Sequence, residues 1–189
     1  KAAPRTGHEI RETAVETIAL SQKAQLRRRA PNALTLDYAC YRTRADEWSP
    51  PTPVIKIQRA LEQMDYAGPV ALRFAFDVED VPAQITVAIE CPEIFEIEIN
   101  GRRVAPAGST YFVDRSFQPV DLTGHVRPGC NILELRTEFR PVPKASFALA
   151  SLYEKKTGTE LESVYLLGDF AVAADVGRGA APERCARLS

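Results

Sequence analysis

Residues 94–135 read IFEIEINGRRVAPAGSTYFVDRSFQPVDLTGHVRPGCNILEL, and the fold class follows from them. Phe95, Ile97 and Ile99 alternate with Glu96, Glu98 and Asn100, the period of two that marks a half-buried strand. Asn100-Gly101 follows at once, a pair that adopts the positive φ angles of a tight hairpin turn. Arg102, Arg103 and Val104 form the return strand. Further on, Pro128-Gly129 marks a second turn. Beyond it Leu133, Leu135, Thr137 and Phe139 share one face of a longer strand. Antiparallel strands joined by short turns, with no helical crossover, predict an all-β sandwich.

The flanking sequence agrees. Val70, Leu72, Phe74, Phe76 and Val78 alternate with Ala71, Arg73, Ala75 and Asp77, and Ile85, Val87 and Ile89 resume the pattern after Val81-Pro82. Leu34, Leu36, Tyr38 and Cys40 predict one strand, residues 24–29 an earlier one, and Val164, Leu166, Phe170 and Val172 a last one. Pro50, Pro51 and Pro53 hold residues 46–53 out of any central strand. Ile57, Ala60, Leu61 and Met64 have helical spacing, so a short helix is predicted there, ended by Gly68-Pro69. Residues 147–153 read as a further helical turn or two. Residues 9–20 fit a short helix or an extended lead-in equally. The expected organisation is a lead-in over 1–23, a sandwich of about eight main strands over 24–173, and a flexible tail or linker over 174–189.

The totals bound the function. The 189 residues suffice for a core without cross-links. Lys and Arg number 24 against 25 Asp and Glu, a balance with no footprint for nucleic acid. No apolar run reaches the length of a membrane span. Cys40, Cys91, Cys130 and Cys185 form no CxxC pair, and His8 and His125 are the only histidines. Free thiols are therefore expected, and no zinc site. The chain opens on Lys1 and not Met, as expected of a segment cut from a longer protein, in which case targeting signals and a catalytic domain could lie outside it.

Strand–Asn100-Gly101, the aromatic segment ending in Val113-Asp114, then Phe117, Val120-Asp121-Leu122 and Val126 through Pro128-Gly129-x-Asn131 together resemble the galactose-binding-like jelly-roll domain. Such domains accompany glycoside hydrolases of the β-galactosidase and β-glucuronidase clan. Residues 32–38 and 161–170 resemble bacterial proteins of the same kind, so the likeness spans roughly 30–173. It implies a jelly-roll β-sandwich with one or two short helices, serving as a non-catalytic, carbohydrate-binding accessory domain. It also implies a separate catalytic barrel, and it leaves room for a structural calcium ion near a sheet edge with Asp114 or Asp121. No other cofactor is expected, and no dense acidic calcium loop is visible.

The residues allow alternatives. Glycoside hydrolysis within this chain needs two carboxyl groups at fixed separation. Glu96 with Glu98 and Glu160 with Glu162 are the nearest pairs, and each is better read as solvated or structural. No nucleophile elbow or phosphate loop is present. Sugar binding needs an exposed ring beside a few fixed polar groups on loops. Trp48, the only tryptophan, Tyr111 with Asp114, and Arg102 with Arg103 are the candidates. The expected partners are carbohydrate or neighbouring domains of a parent protein. A purely structural docking module is the rival reading; Tyr165 and Leu167, opposite Leu166, give the last strand two apolar faces.

Overall fold

The computed structural model describes residues 30–44, 47–106, 110–141, 158–173 and 186–188. The expectations for residues 9–20, 24–29 and 147–153 fall outside these, as do His8 and Cys185. Twelve strands and one α-helix are described: β1 (Asn32–Leu36), β2 (Tyr38–Arg42), β3 (Thr52–Pro53), α1 (Val54–Gln63), β4 (Gly68–Val78), β5 (Ile85–Glu90), β6 (Glu96–Ile99), β7 (Arg102–Val104), β8 (Phe117–Asp121), β9 (Gly129–Phe139), β10 (Val164–Gly168), β11 (Val172–Ala173) and β12 (Ala186–Leu188).

They form an all-β sandwich of two sheets. The smaller sheet has the order β1-β10-β5-β8. The larger is built on β4 and β9, paired over eleven positions from Gly68–Phe139 to Val78–Gly129. β6 and then β7 extend it beyond β9. On the other side of β4, β2 pairs with Ala71–Arg73 and β12 with Phe76–Val78. The β12–β4 pairing is parallel and the rest are antiparallel. The larger sheet thus takes in Ala186–Leu188, three residues of the stretch read as a tail.

One core lies between the sheets. β4 supplies Val70, Leu72, Phe74, Phe76 and Val78, β9 supplies Leu133, Leu135 and Phe139, and β6 supplies Ile97 and Ile99. Ile85, Val87, Ile89, Val120, Val164 and Leu166 face them from the smaller sheet. Each such side chain contributes about 1.5–3 kcal/mol of burial free energy. The period-two pattern therefore identified the inward faces of the long strands correctly. α1 starts one turn before the predicted helix and joins the same core through Val54, Ile57 and Leu61. The Asn100-Gly101 turn has φ of 51° and 76°, as its sequence requires.

One predicted strand is two. Leu34 to Cys40 do not share a face: β1 belongs to the smaller sheet and β2 to the larger. The chain crosses between sheets at Asp37, whose carbonyl accepts a hydrogen bond from Val54 N at 2.9 Å. Leu36 and Ala39 are buried, while Tyr38 turns to solvent. A corner of this kind resets the alternation. The last predicted strand also breaks, at Asp169, between β10 and β11.

Candidate functional site

Charged side chains cover the outer face of the larger sheet. Strand register puts Cys40, Arg73, Glu134, Glu98 and Arg103 in one row across β2, β4, β9, β6 and β7. The neighbouring row is Arg42, Ala71, Arg136 and Glu96. Arg73 Nε donates to Glu134 Oε2 at 2.7 Å, and Arg136 Nε to Glu134 Oε1 at 2.7 Å. Arg136 also grips Glu98 with both terminal nitrogens, at 2.8 and 3.2 Å. Arg103 Nη2 donates to Glu96 at 2.7 Å.

Trp48 lies over this ladder, its ring centre 4.6 Å from the guanidinium carbon of Arg42 and 3.9 Å from that of Arg73. Under this cover Glu134 is only 6% exposed although it faces outward. Burial by itself would raise its carboxyl pKa, but the bonds from Arg73 and Arg136 outweigh burial and hold it below the ordinary value. The Glu98 bond in turn raises the already high pKa of Arg136. Burial pushes the Cys40 thiol up, partly offset by Arg73.

Where this row meets the start of β4 and the end of β9, the face opens into a cleft of about 990 Å³. Arg42, Arg44, Arg136 and Arg140 line it, with Glu96, Glu138 and the threonines at 43, 137 and 159 among the other walls.

A second hollow, of about 370 Å³, lies before β8 and is lined by Thr110, Tyr111, Arg115 and Gln118. Its loop is fixed from beneath. Phe112 and Phe117 pack on Tyr165 with ring centres 5.7 and 5.5 Å apart, so this loop covers part of the apolar outer face noted on β10. Phe112 N donates to Phe117 O at 2.9 Å, and Phe117 N to Asp114 O at 3.1 Å. Asp114 Oδ1 accepts from both N and Oγ of Ser116 at 2.9 Å. Those two bonds lower the pKa of the Asp114 carboxyl. The tip between these anchors is Val113, at φ 61° and 86% exposed. A β-branched residue is strained in that region.

The structure brings Tyr111 and Asp114 into one loop and leaves the other candidates apart from it. Trp48 and Arg103 stand on the larger sheet, at opposite sides of its outer face. Four strand spacings of about 4.8 Å separate β2 from β7. Arg102 is an exposed side chain beside the Asn100-Gly101 turn, opposite Ile99. Arg44, Arg73, Arg136 and Arg140 were not singled out from the sequence. The available signal was charge at outward positions of otherwise apolar strands, as in Arg73 of β4 and Glu134 and Arg136 of β9.

Asp121, like Asp114, is committed to its own turn, accepting from Thr123 N at 2.8 Å. Among the described residues no group of three or more acidic, histidine or cysteine side chains could hold a metal ion. These carboxylates do not assemble the donor set of six to eight oxygens that calcium takes. No helix among the described residues is long and apolar enough to cross a membrane.

No protein-family model matches the sequence, and no curated protein matches it either. Similar solved structures are glycoside hydrolases. A β-D-glucuronidase from Dictyoglomus thermophilum aligns at 16% identity and TM-score 0.45, over 81% of this chain and 32% of the enzyme. A β-galacturonidase of family GH2 from Eisenbergiella tayi aligns at 16% and 0.47, over 74% and 25%. A β-glucuronidase from Ruminococcus gnavus aligns at 12% and 0.49, over 80% and 31%. The chain thus spans a third or less of the length of these enzymes.

Proposed function

We propose that this chain is a non-catalytic, galactose-binding-like jelly-roll domain of a larger glycoside hydrolase-like protein, and that it contacts carbohydrate through the loop before β8. The observation that carries this reading is Tyr111. The residue is 56% exposed and stands beside Thr110, Arg115 and Gln118 around a concave hollow. Aromatic face and polar groups are what a sugar's C–H surface and hydroxyls require, and packing of Phe112 and Phe117 on Tyr165 keeps them in place. Asp114, held by Ser116, is a fixed carboxylate in the same loop. Glu96 and Glu98 suit a structural role better than acid–base work: each is bound by an arginine, and the two share one strand face instead of flanking a sugar.

Calorimetric titration with neutral mono- and oligosaccharides, with and without calcium, tests the proposal. The expected result is a response to one class at millimolar affinity or tighter, lost in Tyr111→Ala. Trp48→Ala is expected to keep it, because that ring is held by arginines on the other sheet. Silence across the panel would overturn the sugar-contact reading. It would favour a docking domain, for which the strained and exposed Val113 tip is the specific observation.

A further inference from the structure

We infer that the arginine-lined cleft on the larger sheet is a second site, for carboxylate-bearing oligosaccharides. The choice of carbohydrate as ligand class rests on the function proposed above; the charge preference rests on the cleft alone. In the row that forms its floor, Ala71 stands between Arg42 and Arg136. A methyl group flanked by two guanidinium side chains leaves a notch. Both flanking groups are held before any ligand arrives: Arg136 by Glu98 and Glu134, Arg42 by the ring of Trp48. Arg44 and Arg140 stand on the walls, and neither is paired with a carboxylate among the described residues.

Arg136 is already bound by Glu98 and Glu134 and Glu96 by Arg103, so Arg42, Arg44 and Arg140 face one remaining acid, Glu138. The surplus is positive. Planar guanidinium groups match planar carboxylates in paired hydrogen bonds, which a point charge does not. A volume of about 990 Å³ is at the upper end for small-ligand sites and takes a chain of several rings.

An acidic peptide fits less well. Peptides commonly add to a sheet edge or seat apolar anchors. Here the row that forms the floor is interior to the sheet: Ala71 of β4 and Arg136 of β9 are each paired on both sides. That row offers no backbone groups to a further strand.

The test is titration of the whole chain with an oligogalacturonate, a neutral oligosaccharide of equal length, a sulfated oligosaccharide and poly-glutamate. The wild type is expected to bind the oligogalacturonate in preference to the other three, more weakly as salt is raised. Arg44→Gln/Arg140→Gln should weaken that binding by about ten-fold or more. Neither side chain belongs to the ion-pair ladder, so an unchanged melting temperature shows that the fold is intact. Lys56→Gln/Arg59→Gln, which removes equal charge from the exposed side of α1, should leave the affinity as it was. The inference is overturned if the oligogalacturonate does not bind, if its binding survives loss of Arg44 and Arg140, if the α1 variant weakens it equally, or if poly-glutamate or the sulfated sugar binds as well. A silent neutral panel beside a retained oligogalacturonate response would count against the Tyr111 hollow and not against this cleft.

Discussion

Glu134 is a carboxylate on the outside of a sheet that water barely reaches. What makes this tolerable is that both oxygens are bonded, by Arg73 and by Arg136, and that Trp48 roofs the cluster through Arg73. Removing the charge leaves two arginines facing a neutral amide. Glu134→Gln is expected to lower stability by about 1–2 kcal/mol, less than for a fully buried pair because both arginines keep contact with solvent. The readout is a shifted denaturant midpoint at constant slope. The pH dependence follows from the lowered pKa. A carboxyl that binds its proton more weakly when folded contributes stability that is complete above the ordinary glutamate value of 4.5. That contribution is lost as pH falls through the folded value. The gap between wild type and variant should therefore be widest at neutral pH and narrow on acidification below 4.5; a gap that stayed constant would show that the charge is not the source.

At the scale of elements, the β6–β7 hairpin and the start of β9 are tied by two asparagines. Asn131 is fully buried. Its Nδ2 donates to the carbonyls of Arg127 and Gly129, and its Oδ1 accepts from Arg127 N and from Asn100 Nδ2. Asn100 Oδ1 accepts in turn from Ile132 N, and its Nδ2 also reaches the His125 carbonyl. One side chain thus satisfies the turn before β9 and locks it to the neighbouring hairpin. Asn131→Ala strands two donors and two acceptors and should cost about 3 kcal/mol or more. Asn131→Asp keeps the shape but turns the donating nitrogen into an acceptor facing two carbonyls, so it should also destabilise. A denaturation midpoint for Asn131→Asp equal to wild type would remove the hydrogen-bond account.

For the whole molecule, both sheets and α1 share one core, and Trp48, the sole tryptophan, reports on the outside of the larger sheet alone. Tryptophan emission and far-ultraviolet circular dichroism should therefore give one coincident unfolding transition. An earlier fluorescence transition would mean that the charged face opens as a separate unit. The two hollows lie on different sheets, so a variant in one is not expected to disturb the other.

The sequence by itself determined the sandwich. Period-two alternation in residues 70–78, 85–89, 97–99 and 133–139 fixes which side of each strand is buried, because a strand must turn its apolar face to the core. It determined the Asn100-Gly101 hairpin as well, since few pairs adopt two positive φ angles in succession. It also marked Tyr111 and Asp114 as neighbours of one loop. What it left open was set by contacts distant in the chain. The corner at Asp37 depends on which sheet each half of the segment joins. Asn131 appeared only as part of a motif; its role depends on Asn100, thirty-one residues away. The arginine cleft depends on strand order, which places Arg42, Ala71 and Arg136 side by side through pairings that no local pattern encodes. Alternation says that a charge faces outward; only the tertiary structure decides which charge stands opposite it.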